Sequence, residues 1–362
     1  MKSLIVVRPN AAAKRGGDVA VAEHTAAALR SHGVEADVVA TLNPDARGYD
    51  VAHVLGIFEP DFARPQIAAL RAQGVPVAVS PTWLDRTSFF LMEPKVRRAL
   101  SERDASRATR RVAALRDDED RLSRRPGRGA LRRRDEQARL LRACDLALPE
   151  SEIEAWLCAN VLRPGSMPIA VVRLGVEAAA FAPRDPGERA GVVCVGRIEP
   201  LKNQAMLLFA LRDADVDVTL VGGTHNAEYL ALCRRWATPR TRFVERLGED
   251  EMGALLARTA VHALPSWGDL PGFVSLEAAC AGARVVAGTR GSEREYLGPD
   301  AEYVDPMDPD GIRDAVVRAI RRGPRVRYDA LDERMRGFTW ERTAAATADA
   351  YARAIAERPR PS

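Results

Sequence analysis

Two short stretches in the second half of this 362-residue chain carry residue types suited to holding a phosphorylated ligand. The first is Gly196-Arg197-Ile198-Glu199-Pro200-Leu201-Lys202-Asn203-Gln204, where a predicted strand ends in glycine and a predicted helix starts with a basic pair five residues apart. In a doubly wound sheet ligands lie beyond the carboxyl ends of the strands, so Arg197 at the strand exit and Lys202 at the helix start would converge on one anion. Arginine clamps such a group bidentately, and lysine supplies a point charge. The competing reading makes both residues ordinary solvated charges. Against it, Lys202 is the one lysine in the last two thirds of an arginine-rich chain.

The second stretch is Asp269-Leu270-Pro271-Gly272-Phe273-Val274-Ser275-Leu276-Glu277-Ala278-Ala279, preceded by Pro265-Ser266 and followed by Gly282. Its two carboxylates lie eight residues apart. A helix opening near Gly272 would leave backbone amides of its first turn without partners, and such amides bind phosphate without side chains. Glu277 in the second turn could accept hydrogen bonds from two vicinal hydroxyls, as a ribose presents. Read singly, Glu277 is equally a half-exposed helical glutamate, and Asp269 after glycine is ordinary turn chemistry.

The elements that would position these residues alternate in kind. Ser3–Val7, Glu35–Ala40, Tyr49–Leu55, Val75–Ser80 and Cys144–Pro149 are predicted strands, with helices over Val19–Ser31 and Arg64–Gln73. A second alternating set runs through Val192–Val195, Val216–Val221, Thr241–Val244, Val261–Leu264 and Arg284–Ala287. Strands alternating with helices build parallel sheets covered on both faces, so the chain is expected to be α/β with two Rossmann-like domains. Phe181–Gly187, rich in proline, glycine and charge, suits an exposed hinge, which gives domains 1–182 and 183–338 and a closing segment 339–362.

Taken together, Gly196, Arg197 and Lys202 as Gly-Arg-x4-Lys, and Asp269 and Glu277 at the spacing Glu-x7-Glu, resemble the donor domain of the retaining glycosyltransferases of family 4 (glycosyl transferases group 1). That resemblance implies the GT-B fold, two doubly wound domains facing each other across a cleft, with a last helix from Thr339 crossing back to the N-terminal domain. It implies that Arg197 and Lys202 bind the donor diphosphate and that Glu277 binds ribose hydroxyls. The amides near Gly272, Phe273 and Val274 would face phosphate and sugar. Asp269 stands where the family has its first glutamate, which contacts the sugar hydroxyls, and the missing methylene draws the carboxylate back by more than about 1 Å.

Gly16-Gly17-Asp18 is similar to the family's glycine-rich loop after the first strand, where the backbone must approach the sugar phosphate. Thr289 to Gly298, with Gly291 to Tyr296 at its centre, matches a family loop lining the cleft. Where the family often has a histidine after an N-domain strand, this chain has Ser80-Pro81-Thr82-Trp83, so no catalytic base is assigned. His24, His32 and His53 are expected to be structural. The resemblance implies transfer of a sugar from a nucleotide sugar to a glycan, glycolipid or small-molecule acceptor, in polysaccharide or glycoconjugate assembly, with no metal and no cofactor. Two other readings are a sugar-nucleotide epimerase or phosphorylase of the same fold, and a catalytically silent relative that binds sugar nucleotides or glycans.

Composition fits these expectations. Apolar residues form 46% and charged residues 29% of the chain, the balance of a soluble globular protein. The apolar start Leu4–Val7 is too short for a signal-peptide core, and five scattered cysteines read as reduced thiols, so a cytoplasmic protein is expected. Lys95–Arg142 holds seventeen basic residues against eight acidic ones, an excess of nine, within predicted helices broken near Arg125-Pro126-Gly127. It lacks aromatic residues for base stacking, which argues against a nucleic-acid partner. What remains for it is a solvated face, or an acceptor-facing or membrane-surface patch suited to lipid-linked acceptors.

Overall fold

The computed structural model describes residues 1–13, 16–123, 128–177, 188–323 and 330–357. Both the expected hinge at Phe181–Gly187 and the expected helix break at Arg125–Gly127 lie outside the described residues. In chain order the elements begin with β1 (Lys2–Val7), α1 (Gly17–Ser31), β2 (Glu35–Ala40), β3 (Val51–Leu55), α2 (Pro60–Ala72) and β4 (Val77–Ser80). Then come α3 (Thr87–Leu100), α4 (Ala105–Ser123), α5 (Arg128–Arg142), β5 (Leu146–Ala147) and α6 (Glu152–Leu157). The second half runs through β6 (Ala190–Val195), α7 (Gln204–Leu211), β7 (Val218–Val221), α8 (Ala227–Trp236), β8 (Thr241–Val244) and α9 (Glu249–Arg258). It ends with β9 (Thr259–Leu264), α10 (Phe273–Cys280), β10 (Arg284–Gly288), α11 (Glu293–Leu297), β11 (Glu302–Val304), α12 (Pro309–Arg321), α13 (Ala330–Met335) and α14 (Trp340–Ala356).

The chain divides into two compact units. Unit 1 comprises Met1–Asp85, Gly127–Gly175 and Phe338–Ser362, and unit 2 comprises Arg86–Pro126 and Val176–Gly337. Unit 1 holds a parallel sheet of order β2-β1-β3-β4-β5, and unit 2 a parallel sheet of order β11-β10-β9-β6-β7-β8. Their central strands are apolar runs buried on both faces, as parallel sheets require: Leu4 to Val7 in β1 and Val192 to Val195 in β6. The strand expected over Cys144–Pro149 contracts to β5, which pairs only through Leu146 and Ala147. Leu148 still donates to Val79, but the Glu150 N–H that would come next toward β4 donates instead to Glu154 Oε2 at 2.7 Å. No helix among the described residues is long and apolar enough to cross a membrane, and all five cysteines are free thiols.

The boundary drawn from sequence differs from this division at the arginine-rich stretch. Placed whole in the first domain by sequence, it splits, with α3 and α4 in unit 2 and α5 in unit 1. The reason is an apolar stripe that the charge count hides. Met92, Val96, Ala99, Ala108 and Val112 are buried in the same core as Phe209 of α7 and Tyr229 and Cys233 of α8. Trp236 Nε1 also donates to the Leu100 carbonyl at 2.8 Å. The interleaved acids have partners of their own, with Glu102 paired to Arg107 and Arg111 and Glu119 to Arg290.

Helix α14 packs into unit 1. Trp340 stacks on His24 with ring centroids 4.9 Å apart, Thr343 donates to the Arg173 carbonyl at 2.8 Å, and the fully buried Tyr351 reaches His53 on β3. His53 Nδ1 lies 2.7 Å from Tyr351 Oη and its Nε2 lies 2.9 Å from Ser80 Oγ. Burial pushes the His53 imidazole down to about 3, so at neutral pH it is an uncharged link between helix and sheet. Removing that link with Tyr351→Phe leaves a buried ring nitrogen without its partner, at a cost of about 1–3 kcal/mol. Urea unfolding checks this, and an unchanged midpoint would show that the hydrogen bond contributes nothing net.

Candidate functional site

In unit 2 the chain leaves β6 toward β7 and β8 on one side and returns to its other side at β9. The connections after β6 and β9 therefore depart in opposite directions, which opens a crevice at the carboxyl ends of these two strands. Lys202 follows β6 and Asp269 follows β9, and across this switch point Lys202 Nζ donates to Asp269 Oδ1. Both side chains are largely buried, at 18% and 11% exposure.

The loop that carries Lys202 is fixed from below. Gly196, with φ +150°, ends β6 against Gly222, with φ +149°, at the end of β7. A Cβ on Gly222 would come within 2.7 Å of the Gly196 carbonyl carbon, so the two strand ends abut through glycine. Pro200–Lys202 form one 3-10 turn, and Asn203, in the left-handed region at φ 61°, caps α7. The buried Asn203 amide donates to the carbonyls of Pro265 at 3.0 Å and Pro306 at 2.8 Å, which locks this loop to those after β9 and β11. Gln204 Nε2 spans the loop to the Arg197 carbonyl at 2.8 Å.

Arg197 and Lys202, expected to converge on one anion, are held by different carboxylates. The Arg197 guanidinium is 62% exposed and meets Glu199 at 3.2 Å, whereas Lys202 is committed to Asp269. Helix α7 starts at Gln204, two residues later than expected, because the proline-led turn occupies the chain up to Lys202.

The Asp269 loop turns back at Gly272, φ +81°, which caps α10. Phe273 and Val274 therefore stand in the first turn of α10. Glu277 lies one turn further. No hydrogen bond or ion pair engages its carboxylate among the described residues, and burial alone pushes it up to about 7. The loop after β10 closes against the same turn. Ser292 N–H donates to the Asp269 carbonyl at 3.0 Å, and a Cβ on Gly291 would lie 2.7 Å from the Asp269 nitrogen.

Glu293, adjacent to that turn, carried no signal in the sequence beyond its place in the Gly291–Tyr296 loop. It is 1% exposed, neither carboxylate oxygen has a partner in another residue, and Asp269 Oδ2 is likewise buried and unpartnered. Burial and then the Asp269 charge raise the Glu293 carboxyl well above the ordinary carboxylate range, Lys202 opposing. On β9, burial pushes His262 down to about 4, so it is neutral at pH 7.

The turn after β9 is held from outside as well. Trp267 N–H donates to the Leu201 carbonyl at 2.9 Å, and the Trp267 ring meets Phe89 of α3 edge-on at 5.9 Å and the Arg290 guanidinium at 4.9 Å. Arg290 in turn donates to Ser88 at 2.6 Å, to Glu119 of α4 at 2.8 Å and to Asp305 at 3.0 Å. Helices α3 and α4 thus brace the loop next to Asp269, a role that nothing in the arginine-rich sequence suggested.

In unit 1, Gly16 and Gly17 stand where expected, after β1 and at the start of α1. Gly16 is extended, and a Cβ on it would lie 2.7 Å from Asp18 Oδ1, whereas a Cβ on Gly17 would meet nothing within 4 Å. Arg8 Nε donates to Asp18 Oδ2 at 2.6 Å beside them. At Ser80-Pro81-Thr82-Trp83, where the sequence lacks a histidine, Thr82 is in the left-handed region at φ 48° and Trp83 N–H donates to Glu154 Oε1 at 2.8 Å. The buried Glu150 carboxyl beside Thr82 is raised well above the ordinary range, by burial first and the Glu154 charge second. Hollows of about 350 Å³ along α5 and about 310 Å³ beside Gly191 and Asp217 contain none of these residues, and the second lies at the amino ends of β6 and β7.

Comparisons with known proteins point to the same half of the chain. Residues 189–322 match the family model described as Glycosyl transferases group 1. A D-inositol 3-phosphate glycosyltransferase from Nocardioides sp. is 29% identical over 258 residues, 61% of this chain and 56% of that protein. A glycogen synthase from Mycobacterium tuberculosis is 33% identical over 204 residues, 52% of this chain and 49% of that protein. The chain therefore aligns with about half the length of these curated relatives. Among solved structures, sucrose-phosphate synthase from Thermosynechococcus elongatus superposes with TM-score 0.70 at 16% identity, covering 99% of this chain and 100% of the other. An Anabaena protein in complex with UDP and glucose superposes with TM-score 0.60 at 16% identity, covering 99% and 98%. Residues 189–322 are thus similar to the glycosyl transferases group 1 family, on a chain with the two-domain GT-B fold.

Proposed function

We propose that the chain transfers a sugar from a nucleotide-sugar donor to a glycan, glycolipid or small-molecule acceptor, with retention of anomeric configuration, in polysaccharide or glycoconjugate assembly. The observation that carries this reading is the Lys202–Asp269 pair at the switch point of the second sheet, with the unengaged Glu277 one helix turn beyond. A relative named as a D-inositol 3-phosphate glycosyltransferase and a structural neighbour bound to UDP and glucose support a nucleotide-sugar donor.

In this reading the donor diphosphate takes Lys202 from Asp269 and draws Arg197 from its exposed contact with Glu199. Glu277 accepts the ribose hydroxyls, and the first-turn amides at Phe273 and Val274 face the phosphate. As the bond from the anomeric carbon to the leaving phosphate oxygen breaks, that oxygen takes the acceptor hydroxyl's proton, and the acceptor oxygen bonds to the same face of the sugar. The enzyme's part is positioning and stabilisation of the phosphate charge, which Lys202 and Arg197 supply, and neither a metal nor a cofactor enters the scheme. A lipid-linked acceptor fits the same reading, with exposed Arg132, Arg133 and Arg139 of α5 as the groups that would meet anionic headgroups.

Thermal unfolding with UDP-, GDP-, ADP- and dTDP-sugars tests the donor site. One nucleotide class raises the midpoint of the wild type, by a stabilisation of about 2.7 kcal/mol at a hundredfold excess over Kd. Lys202→Ala, compared with its own ligand-free midpoint, shows no rise, and a mutant shift equal to the wild type would remove Lys202 from the site.

Glu277 supplies a second test. Ribose hydroxyls donate to its ionised form, so donor affinity strengthens from about pH 6 to about pH 8 as the group loses its proton, and Glu277→Gln flattens the profile. Because the folded-state value of about 7 lies above the ordinary 4.5, this group's stabilisation of the ligand-free protein is present at low pH and is lost as pH rises through 7. A Gln variant with the wild-type pH profile would assign the ribose to another residue.

A further inference from the structure

Glu293 has no part in the scheme above, yet its burial is hard to explain as packing. A carboxyl group that is 1% exposed, with neither oxygen partnered by another residue, costs stability, and an apolar side chain of similar volume would fill the space without that cost. Its surroundings are equally specific. A Cβ on Gly272 would lie 2.9 Å from Glu293 Cγ and 3.6 Å from Asp269 Cβ, so the two acidic side chains flank one glycine. A Cβ on Gly291 would meet the Glu293 carboxylate on one side and the Asp269 backbone on the other. Asp269 presents one buried oxygen to Lys202 and leaves the other without a partner.

The donor-site reading, on which this inference rests, takes Lys202 away from Asp269 and leaves a buried carboxylate without its counter-charge, an arrangement that is strongly unfavourable unless another donor replaces the lysine. We propose that Glu293 is that donor: a positioning residue, kept as a neutral acid, whose O–H donates to Asp269 when the donor diphosphate claims Lys202. Burial beside Asp269 is what keeps the acid neutral. Glu293 need not touch the ligand. It lowers the cost of separating the ion pair, so its effect falls on diphosphate affinity, and its full burial is compatible with that role.

The substitutions Glu293→Met and Glu293→Gln separate this from a packing role. Binding of UDP, GDP, ADP and dTDP is measured by calorimetry alongside urea midpoints. Glu293→Met removes the hydroxyl donor and the unpartnered buried oxygens together, so it binds the recognised diphosphate about tenfold more weakly or worse while its urea midpoint equals or exceeds the wild type. Glu293→Gln keeps a neutral donor and binds within about threefold of the wild type. Wild-type affinity in Glu293→Met overturns the proposal, as does equal weakening in both variants with lowered midpoints, which would mark a structural role. A wild type that binds none of the four diphosphates removes the donor-site reading and this inference with it, whereas tight binding by Glu293→Met removes this inference alone.

Discussion

One ion pair organises the second unit: Lys202 on the loop after β6 and Asp269 on the loop after β9, 67 residues apart in sequence and joined over the switch point of the sheet. Two charges this buried are costly to desolvate, and their attraction repays that cost only where geometry is held. The structure holds it on each side. Asn203 fastens the Lys202 loop to the carbonyls of Pro265 and Pro306, the Gly196–Gly222 contact sets where the loop leaves the sheet, and Trp267 keeps the Asp269 turn between α3 and Arg290. In the proposed reading, a ligand phosphate exchanges with the Asp269 carboxylate at this pair.

This arrangement gives a physical sense to the aspartate at position 269. The shorter side chain keeps its carboxylate on Lys202, and Glu293 brings a second carboxyl group to the same glycine turn. Two acids and one lysine then share a small buried space, in which burial and the Asp269 charge raise the Glu293 carboxyl well above the ordinary carboxylate range. Stability is given up locally, which proteins accept at sites where a ligand completes the polar network.

How far the site could be anticipated from sequence depended on the range of each interaction. Gly196, Arg197 and Lys202 form a local pattern, legible from spacing on a strand-to-helix turn, and Gly272 with Glu277 is legible as a helix start and its second turn. The Lys202–Asp269 bond was not, since no local pattern reports on a partner 67 residues away. Glu293 was hidden for a different reason: inside a polar, glycine-bearing loop a glutamate reads as solvated, and only the closure of Gly272 and Gly291 around it removes water. The strands followed from apolar runs, although the one expected over Cys144–Pro149 contracts to β5, and β11, three residues long, was too short to show a period. The assignment of α3 and α4 was missed because their net charge masks the Met92–Val96–Ala99 stripe.

The proposed exchange of Asp269 for a diphosphate at Lys202 can be tested directly, because the chain has only four lysines, Lys2, Lys14, Lys95 and Lys202. Lysine labelled with 13C at Cε and 15N at Nζ gives a spectrum in which the Lys202 signals are assigned by their loss in Lys202→Arg. Titration with UDP, GDP, ADP and dTDP should move the Lys202 resonances with one of them and leave the other three lysines in place. Lys202 signals unmoved by every nucleotide, or moved no more than those of Lys2 and Lys95, would contradict the placement of the donor phosphate at this pair.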